Sequence, residues 1–149
     1  MALVTDVHIA RLLLRAVRAV QSTYIERLQQ RGHPGLRTGH IPVFAGLNTE
    51  SDDGGTRITD LANRAGMTRQ MMGRLVRELE ALGYLATATH PEDQRAVVVT
   101  MTERGQSIRA EAAAVIAELE ADYAVLLEDP GLASLKGALQ SIINTSPTA

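Results

Sequence analysis

Three polar side chains with the chemistry to bind nucleic acid recur at helical spacing in the middle of the chain: Gln70, Arg74 and Arg77. At about 100° per residue they project from one side of a helix together with Gly73, and Arg69 lies on the flank of this face. An arginine can donate two hydrogen bonds to guanine O6 and N7, and a glutamine can pair with adenine N6 and N7. The pattern predicts a surface that binds base edges or phosphates. The alternative is an ordinary solvated helix face.

Gly73 is an unusual residue for the interior of a helix, where glycine costs about 1 kcal/mol relative to alanine. Its place on the outward face would let the backbone come close to a phosphate or a base edge, because no side chain intervenes. Simple tolerance of a glycine at this position is the alternative.

Two short helices joined by a tight turn would hold this face. Residues 58–65 predict the first helix, and Gly66 predicts the turn that ends it. Thr68 suits the N-cap of the second helix, since its hydroxyl can accept a hydrogen bond from a backbone N–H in the first turn. We expect Met71 at the margin of the core. The second helix has an apolar face formed by Met72, Leu75, Leu79 and Leu82.

A β-hairpin is predicted directly after this helix-turn-helix. Residues 85–89 and 96–100 are runs of small or β-branched residues, and the polar residues 90–95 separate them as a loop. Arg95 lies at the far end of that loop, where a guanidinium group suits the negative potential of a narrow minor groove. Asp93 is expected to orient Arg95 or to pair with an arginine of the second helix.

These elements resemble the MarR family of winged helix-turn-helix regulators. The motifs that carry the resemblance are Ile-Thr-Asp-Leu-Ala at 58–62, Met-Thr-Arg-Gln at 67–70, Leu-Glu-Ala-Leu-Gly-Tyr-Leu at 79–85, Pro-Glu-Asp-Gln-Arg at 91–95, and Val-Thr-Met-Thr-Glu-Arg-Gly at 99–105. The resemblance implies a homodimer whose recognition helices enter successive major grooves of a pseudopalindromic operator in double-stranded DNA. It implies DNA contacts from the recognition-helix residues Thr68, Arg69, Gln70, Gly73, Arg74 and Arg77. It also implies a minor-groove contact from Arg95, supported by Asp93.

The expected fold is mainly α with a small β component: a winged helix-turn-helix with long N- and C-terminal dimerisation helices. We expect a single domain over residues 1–149, with the winged unit at about 37–104 and the dimerisation helices at 1–36 and 105–149. Residues 6–31 and 103–128 have apolar stripes at helical spacing, and a break at Asp129-Pro130-Gly131 precedes a further stripe. Such long terminal helices have little to pack against within one small winged domain. A second copy would bury them, although intramolecular packing is the alternative for any one stripe.

Charge and composition narrow the possible functions. The net charge is −2, but residues 1–37 carry six arginines against two acids, and residues 105–149 carry two bases against six acids. Local rather than net charge governs phosphate binding. There is no cysteine for a disulfide or a thiolate zinc site, and the four histidines are scattered. The acidic, glycine-rich residues 48–56 fit a calcium loop poorly. We therefore expect no metal, no cofactor and no enzymatic activity.

Regulators of this family commonly bind small aromatic or anionic effectors between the dimerisation helices and the winged unit. Arg11, Arg15 and His40 are candidates for such a pocket, or they are simply solvated or paired across a dimer. The function expected from the resemblance is a ligand-responsive repressor. Because no apolar run is long enough to span a membrane, we also expect a soluble, cytoplasmic protein of a bacterium or archaeon. Two other classes stay open: a winged-helix module whose arginine face binds an acidic protein partner, and the dimerisation module of an enzyme.

Overall fold

The architecture is described by a computed structural model over residues 7–47 and 55–146. Two compact units divide the chain, Met1–Glu111 and Ala112–Ala149. The predicted acidic loop at 48–56 lies outside the described residues as far as position 54, and Thr56 begins the first strand instead of ending the loop. In chain order the elements are α1 (Ile9–Gln30), a 3₁₀ turn (Thr38–His40), α2 (Ile41–Leu47), β1 (Thr56–Arg57), α3 (Ile58–Ala65), α4 (Arg69–Ala81), β2 (Leu85–His90), β3 (Asp93–Met101), α5 (Glu103–Leu127) and α6 (Gly131–Thr145).

The helix-turn-helix is formed by α3 and α4, as predicted. Gly66 ends α3 with φ 64°, a left-handed conformation that glycine adopts without the steric cost of a Cβ atom. Thr68 caps α4, and its Oγ1 atom accepts a hydrogen bond from the Met71 N–H at 3.1 Å. The predicted apolar face is confirmed for three residues and extended by Val76, while Leu82 is half-buried. This packing fixes which side of α4 faces outward.

The wing is an antiparallel three-stranded sheet with the order β1-β3-β2. Its long strands pair from Leu85 opposite Met101 to His90 opposite Asp93, so the predicted six-residue loop is wrong. Only two residues lie between the strands, because side chains satisfy the backbone of the turn: His90 Nδ1 accepts the Glu92 N–H, and Asp93 Oδ1 accepts the Arg95 N–H, each at 3.1 Å. Asp93 and Arg95 therefore belong to β3 and not to a loop.

A buried tyrosine ties the end of α1 to the start of α5 within the first unit. The Tyr84 ring is 1% exposed, and its hydroxyl donates to Nδ1 of the buried His33 across 2.6 Å. His33 Nε2 in turn donates to Glu111 Oε2 at 3.1 Å, and the Arg104 guanidinium lies 4.5 Å from the centre of the Tyr84 ring. Burial raises the pKa of the Tyr84 hydroxyl, although Arg104 opposes this effect, and the protonated hydroxyl is the form that donates to His33.

Apolar side chains stay exposed on the terminal helices. In the first unit, α1 buries Ile25 and Leu28 near its end, but Ile9, Leu14 and Val17 are each more than half exposed. In the second unit, α5 ends before Asp129-Pro130 and α6 follows, as the sequence predicts. No residue of α6 is buried, and its exposed side chains include Leu135, Ile142 and Ile143. None of the described helices combines the length and apolarity that crossing a bilayer requires.

Candidate nucleic-acid interface

The outer face of α4 exposes a mixed polar and apolar set of side chains. Gln70, Arg74 and Arg77 are exposed, as their helical spacing predicts. Met71 is 50% exposed and so lies on this face instead of at the margin of the core. Gly73, expected to face outward, is buried, and the Arg77 Nη1 atom lies 3.5 Å from the position a Cβ would take. The outward face of α4 therefore includes Met71 and excludes Gly73. The reason is that α4 also buries Val76, which is a neighbour of Gly73 on the helix surface.

Glu78 connects the outer face of α4 to the interior of the first unit. Its Oε2 atom accepts hydrogen bonds from His40 Nε2 at 3.0 Å and from Arg37 Nη2. Its Oε1 atom lies 3.8 Å from Arg74 Nε, one helical turn earlier. The hydrogen bond from His40 and the contact with Arg37 lower the pKa of the Glu78 carboxyl group, although desolvation opposes them. The carboxylate is therefore held in its charged form beside Arg74.

The arginines of the wing and the helix-turn-helix line a common cleft. This cleft has a volume of about 150 Å³ and lies where β3 faces the starts of α3 and α4. Arg69 and Arg95, both predicted to contact DNA, line it together with Arg57, Asp93 and neighbouring residues. The cleft therefore has arginines from β1, from the first turn of α4 and from β3 among its lining residues, and arginine is well suited to binding an anion such as a phosphate.

Asp93 supports the wing through the backbone. Its Oδ1 atom accepts the Arg95 N–H, and its Oδ2 atom lies 4.0 Å from Arg57 Nη1. The sequence suggested a pair with the Arg95 side chain or with an arginine of α4, and the arginine found within ion-pair distance is Arg57. Arg57 was missed because a lone arginine before a helix carries no signal. Only the pairing of β1 with β3, which places Arg57 opposite Val98, brings it to the wing.

The predicted ligand-binding residues are in different environments. Arg11 and Arg15 are exposed on the outer part of α1. His40 is 1% exposed, and both of its ring nitrogens are engaged, since Nδ1 accepts the Arg37 N–H at 3.1 Å and Nε2 contacts Glu78. His40 consequently has no free ring nitrogen for a ligand. Within residues 7–47 and 55–146, no group of three or more histidine and acidic side chains is arranged to hold a metal ion.

Comparison with known proteins finds similarity to one family of transcriptional regulators. The family model described as "MarR family" matches residues 47–96, which include the helix-turn-helix and most of the hairpin. HTH-type transcriptional repressor Mb2911 of Mycobacterium bovis is 28% identical over 102 residues, covering 68% of this chain and 73% of that protein. The crystal structure of transcriptional regulator PA4135 has a TM-score of 0.71 and 25% identity, and the match covers 95% of this chain and all of that one.

A structure of Bordetella bronchiseptica BpsR, determined to explain regulation of its DNA binding by 6-hydroxynicotinic acid, has a TM-score of 0.65 and 20% identity. The match covers 90% of this chain and 97% of BpsR, and at this identity it shows a common fold. The family model, the related repressor and the solved regulators all agree with the helix-turn-helix and wing described above. Residues 47–96 therefore resemble the MarR family, and the described fold is similar to that of solved transcriptional regulators of that family.

Proposed function

We propose that this protein is a homodimeric, sequence-specific DNA-binding repressor that a small ligand releases from its operator. The observation that carries the proposal is the presence of two surfaces on one unit: the exposed Gln70, Arg74 and Arg77 of α4, and the cleft lined by Arg57, Arg69 and Arg95. The major groove of a DNA duplex is flanked by phosphates. The side chains on α4 suit the base edges in the groove, and the basic cleft at the start of α4 suits the phosphates.

Each surface has a separate role in the proposed complex. The α4 face enters the major groove, where Arg74 and Arg77 donate to guanine and Gln70 pairs with adenine. Thr68 and Arg69 at the start of α4, together with Arg57, bind the phosphates that border the groove. Arg95 of the wing enters the neighbouring minor groove. Asp93 fixes the strand that carries Arg95, and Gly73 contributes through the close packing of Arg77 over the helix backbone.

The proposed homodimer rests on the exposed apolar side chains of the terminal helices. α1 and α6 each expose several large apolar residues, which an interface with a second copy would bury. A two-fold partner would cover them and would place two recognition helices about 34–36 Å apart, the repeat of successive major grooves. A palindromic operator follows from that symmetry, and a cytoplasmic location follows from a chromosomal target.

Ligand control is proposed from the likeness to BpsR, whose DNA binding 6-hydroxynicotinic acid regulates. That ligand is a small aromatic acid, and an exposed arginine such as Arg11 or Arg15 on α1 offers a cation for an acid of this kind. Because both ring nitrogens of His40 are engaged, this residue would support the ligand site only indirectly, through Glu78 and Arg37.

The function can be tested by selecting bound fragments from a genomic DNA library and measuring affinities for the selected site. We expect a palindromic sequence, sub-micromolar affinity and a steep decrease in affinity with salt. Arg74→Ala and Arg77→Ala should each relax the preference for one base pair per half-site, by about 1–3 kcal/mol. Arg95→Ala should weaken binding to all sequences more evenly.

Unchanged affinity and specificity in all three variants would contradict the proposed interface. If no fragment is retarded even at low salt, the arginine face instead binds an acidic protein partner. A screen of small aromatic acids for release of the selected DNA then tests the proposed ligand control, with Arg11→Ala and Arg15→Ala as probes of the ligand site.

A further inference from the structure

We propose that Glu78 is a positioning residue for Arg74 and that it sharpens the preference of Arg74 for guanine. The inference rests on the proposed DNA-binding function. It goes beyond that function because it assigns part of the specificity to an acidic side chain, although acids are repelled by the phosphates of DNA.

The first reason is that Glu78 is itself fixed. His40 is buried, and its Nδ1 atom accepts the Arg37 N–H, so the ring proton is on Nε2 and points to the Glu78 carboxylate. Arg37 contacts the same carboxylate oxygen, Oε2. With these two partners, Glu78 is not free to follow a moving arginine. Arg37 also compensates its negative charge, which reduces the repulsion of nearby phosphates.

The second reason is the geometry of the contact with Arg74. The Arg74 side chain is 68% exposed, and without a neighbour it would lose much of its rotational freedom on binding a base. Its contact with Oε1 of Glu78 is made through Nε, at 3.8 Å. A contact at Nε leaves Nη1 and Nη2, which form the two-pronged donor for guanine O6 and N7. The ion pair therefore restricts the arginine before binding without occupying the atoms that would contact the base.

The test compares Glu78→Gln with Glu80→Gln on the selected operator. Glutamine at 78 keeps the shape and an oxygen for His40 but removes the charge that holds Arg74. Glu80 is on the same helix, and its carboxylate accepts from Thr87 Oγ1, so Glu80→Gln is a control for the loss of one negative charge. The base pair that Arg74 contacts is identified first, as the one at which Arg74→Ala loses its preference. The quantity measured is the dissociation constant for an operator with a G-to-A change at that base pair, divided by the dissociation constant for the unchanged operator.

For the wild-type protein we expect a ratio of about tenfold or more, as for a good bidentate arginine contact. Glu78→Gln should reduce the ratio about twofold to fivefold at this position only, and Glu80→Gln should leave it unchanged. In an Arg74→Ala background, Glu78→Gln should have no further effect on the ratio. A further effect there would mean that Glu78 contacts a base directly, and this result would overturn the positioning role.

A measurement on the unmodified free protein keeps the inference testable if the variant folds poorly. Nitrogen-15 relaxation should show a more ordered Nε–H bond for Arg74 than for Arg77 on the same helix. Equal mobility of the two would contradict the proposal, as would an unchanged ratio in folded Glu78→Gln. Failure of the proposed DNA-binding function can be distinguished from failure of this inference, because in the former case the wild-type protein itself shows no sequence preference.

Discussion

Met71 is the residue whose observed position most changes the expected DNA contacts. Helical spacing predicts it at the edge of the core, but its side chain is 50% exposed and lies on the same outer face of α4 as Arg74. An apolar side chain on that face suits the C5-methyl group of thymine, which is the apolar group in the major groove. The α4 face therefore offers an apolar contact to DNA, in addition to the hydrogen bonds that its arginines and glutamine can donate.

Met71→Ala is expected to remove a preference for thymine at one position of each half-site. Replacing that thymine by deoxyuracil, which lacks only the methyl group, should weaken wild-type binding about fourfold, the effect of one buried methyl-sized group (~0.8 kcal/mol). The same replacement should have no effect on the Met71→Ala variant. Fluorescence anisotropy with a set of single deoxyuracil substitutions measures both. An equal loss in the two proteins would show that Met71 does not contact the methyl group.

Glu78 should also give the protein a measurable sensitivity to acid. The hydrogen bond from His40, with the contact to Arg37, lowers the pKa of Glu78 below its ordinary value of 4.5 in the folded state. Stability from these contacts is therefore fully present above about pH 4.5 and is lost as the pH falls through the lowered value. Urea unfolding at several pH values should show a smaller acid loss for Glu78→Gln than for the wild type. Parallel curves for the two proteins would contradict this.

At the scale of elements, the turn between α3 and α4 depends on backbone conformation rather than on side-chain contacts. Gly66 has φ 64°, and an added Cβ would meet no atom within 4 Å. Gly73 lies in regular helix, and a Cβ there would be in ordinary contact with Arg77 Nη1 at 3.5 Å. Substitution by alanine is therefore expected to change the free energy of unfolding in opposite directions at Gly66 and Gly73.

Gly66→Ala is expected to lower the free energy of unfolding by about 1–2 kcal/mol, because an L-residue is strained in the left-handed region. Gly73→Ala should raise it by up to about 1 kcal/mol, because alanine has the higher helix propensity. Chemical denaturation of the two variants checks both signs. If Gly73→Ala were destabilising, the packing of Arg77 over this position would be tighter than the 3.5 Å contact indicates.

The sequence predicts helices better than it predicts the wing. The caps at Thr68 and Gly66 and the apolar face of α4 are local signals, and they are confirmed. The length of the hairpin loop was wrong because two side chain-to-backbone hydrogen bonds, from Glu92 to His90 and from Arg95 to Asp93, allow the strands to continue past the polar residues. Arg57 could not be found from sequence, since its role depends on strand pairing between residues about forty positions apart.

At the scale of the whole molecule, the exposed apolar side chains of the terminal helices are the basis of the proposed dimer. Ile143 on α6 is 63% exposed, and α6 has no buried residue. A charge placed on such a surface costs little in a monomer, but it is costly in an interface that excludes water. The assembly can therefore be tested without altering the DNA-binding unit.

Ile143→Arg is expected to shift the protein from dimer to monomer, and affinity for a palindromic operator should fall about a hundredfold or more, since two linked half-sites are no longer engaged together. Sedimentation equilibrium gives the association state, and affinity for a single half-site should change little. Gln140→Arg, an exposed substitution on the same helix, is the control for added charge. A dimer that persists in Ile143→Arg with unchanged affinity would place the interface away from this part of α6.

The position of Asp93 beside Arg57 has a consequence for the ions around the protein. A cluster of guanidinium groups in water attracts dissolved anions, and these must leave when phosphates arrive. Asp93 is a covalently attached anion within ion-pair distance of Arg57, so the cleft needs fewer of these anions in the free state. The cleft then contributes less to anion release than its number of arginines indicates. Replacing chloride in the buffer by a bulkier, weakly bound anion such as glutamate should consequently change the affinity of the cleft for DNA phosphates little.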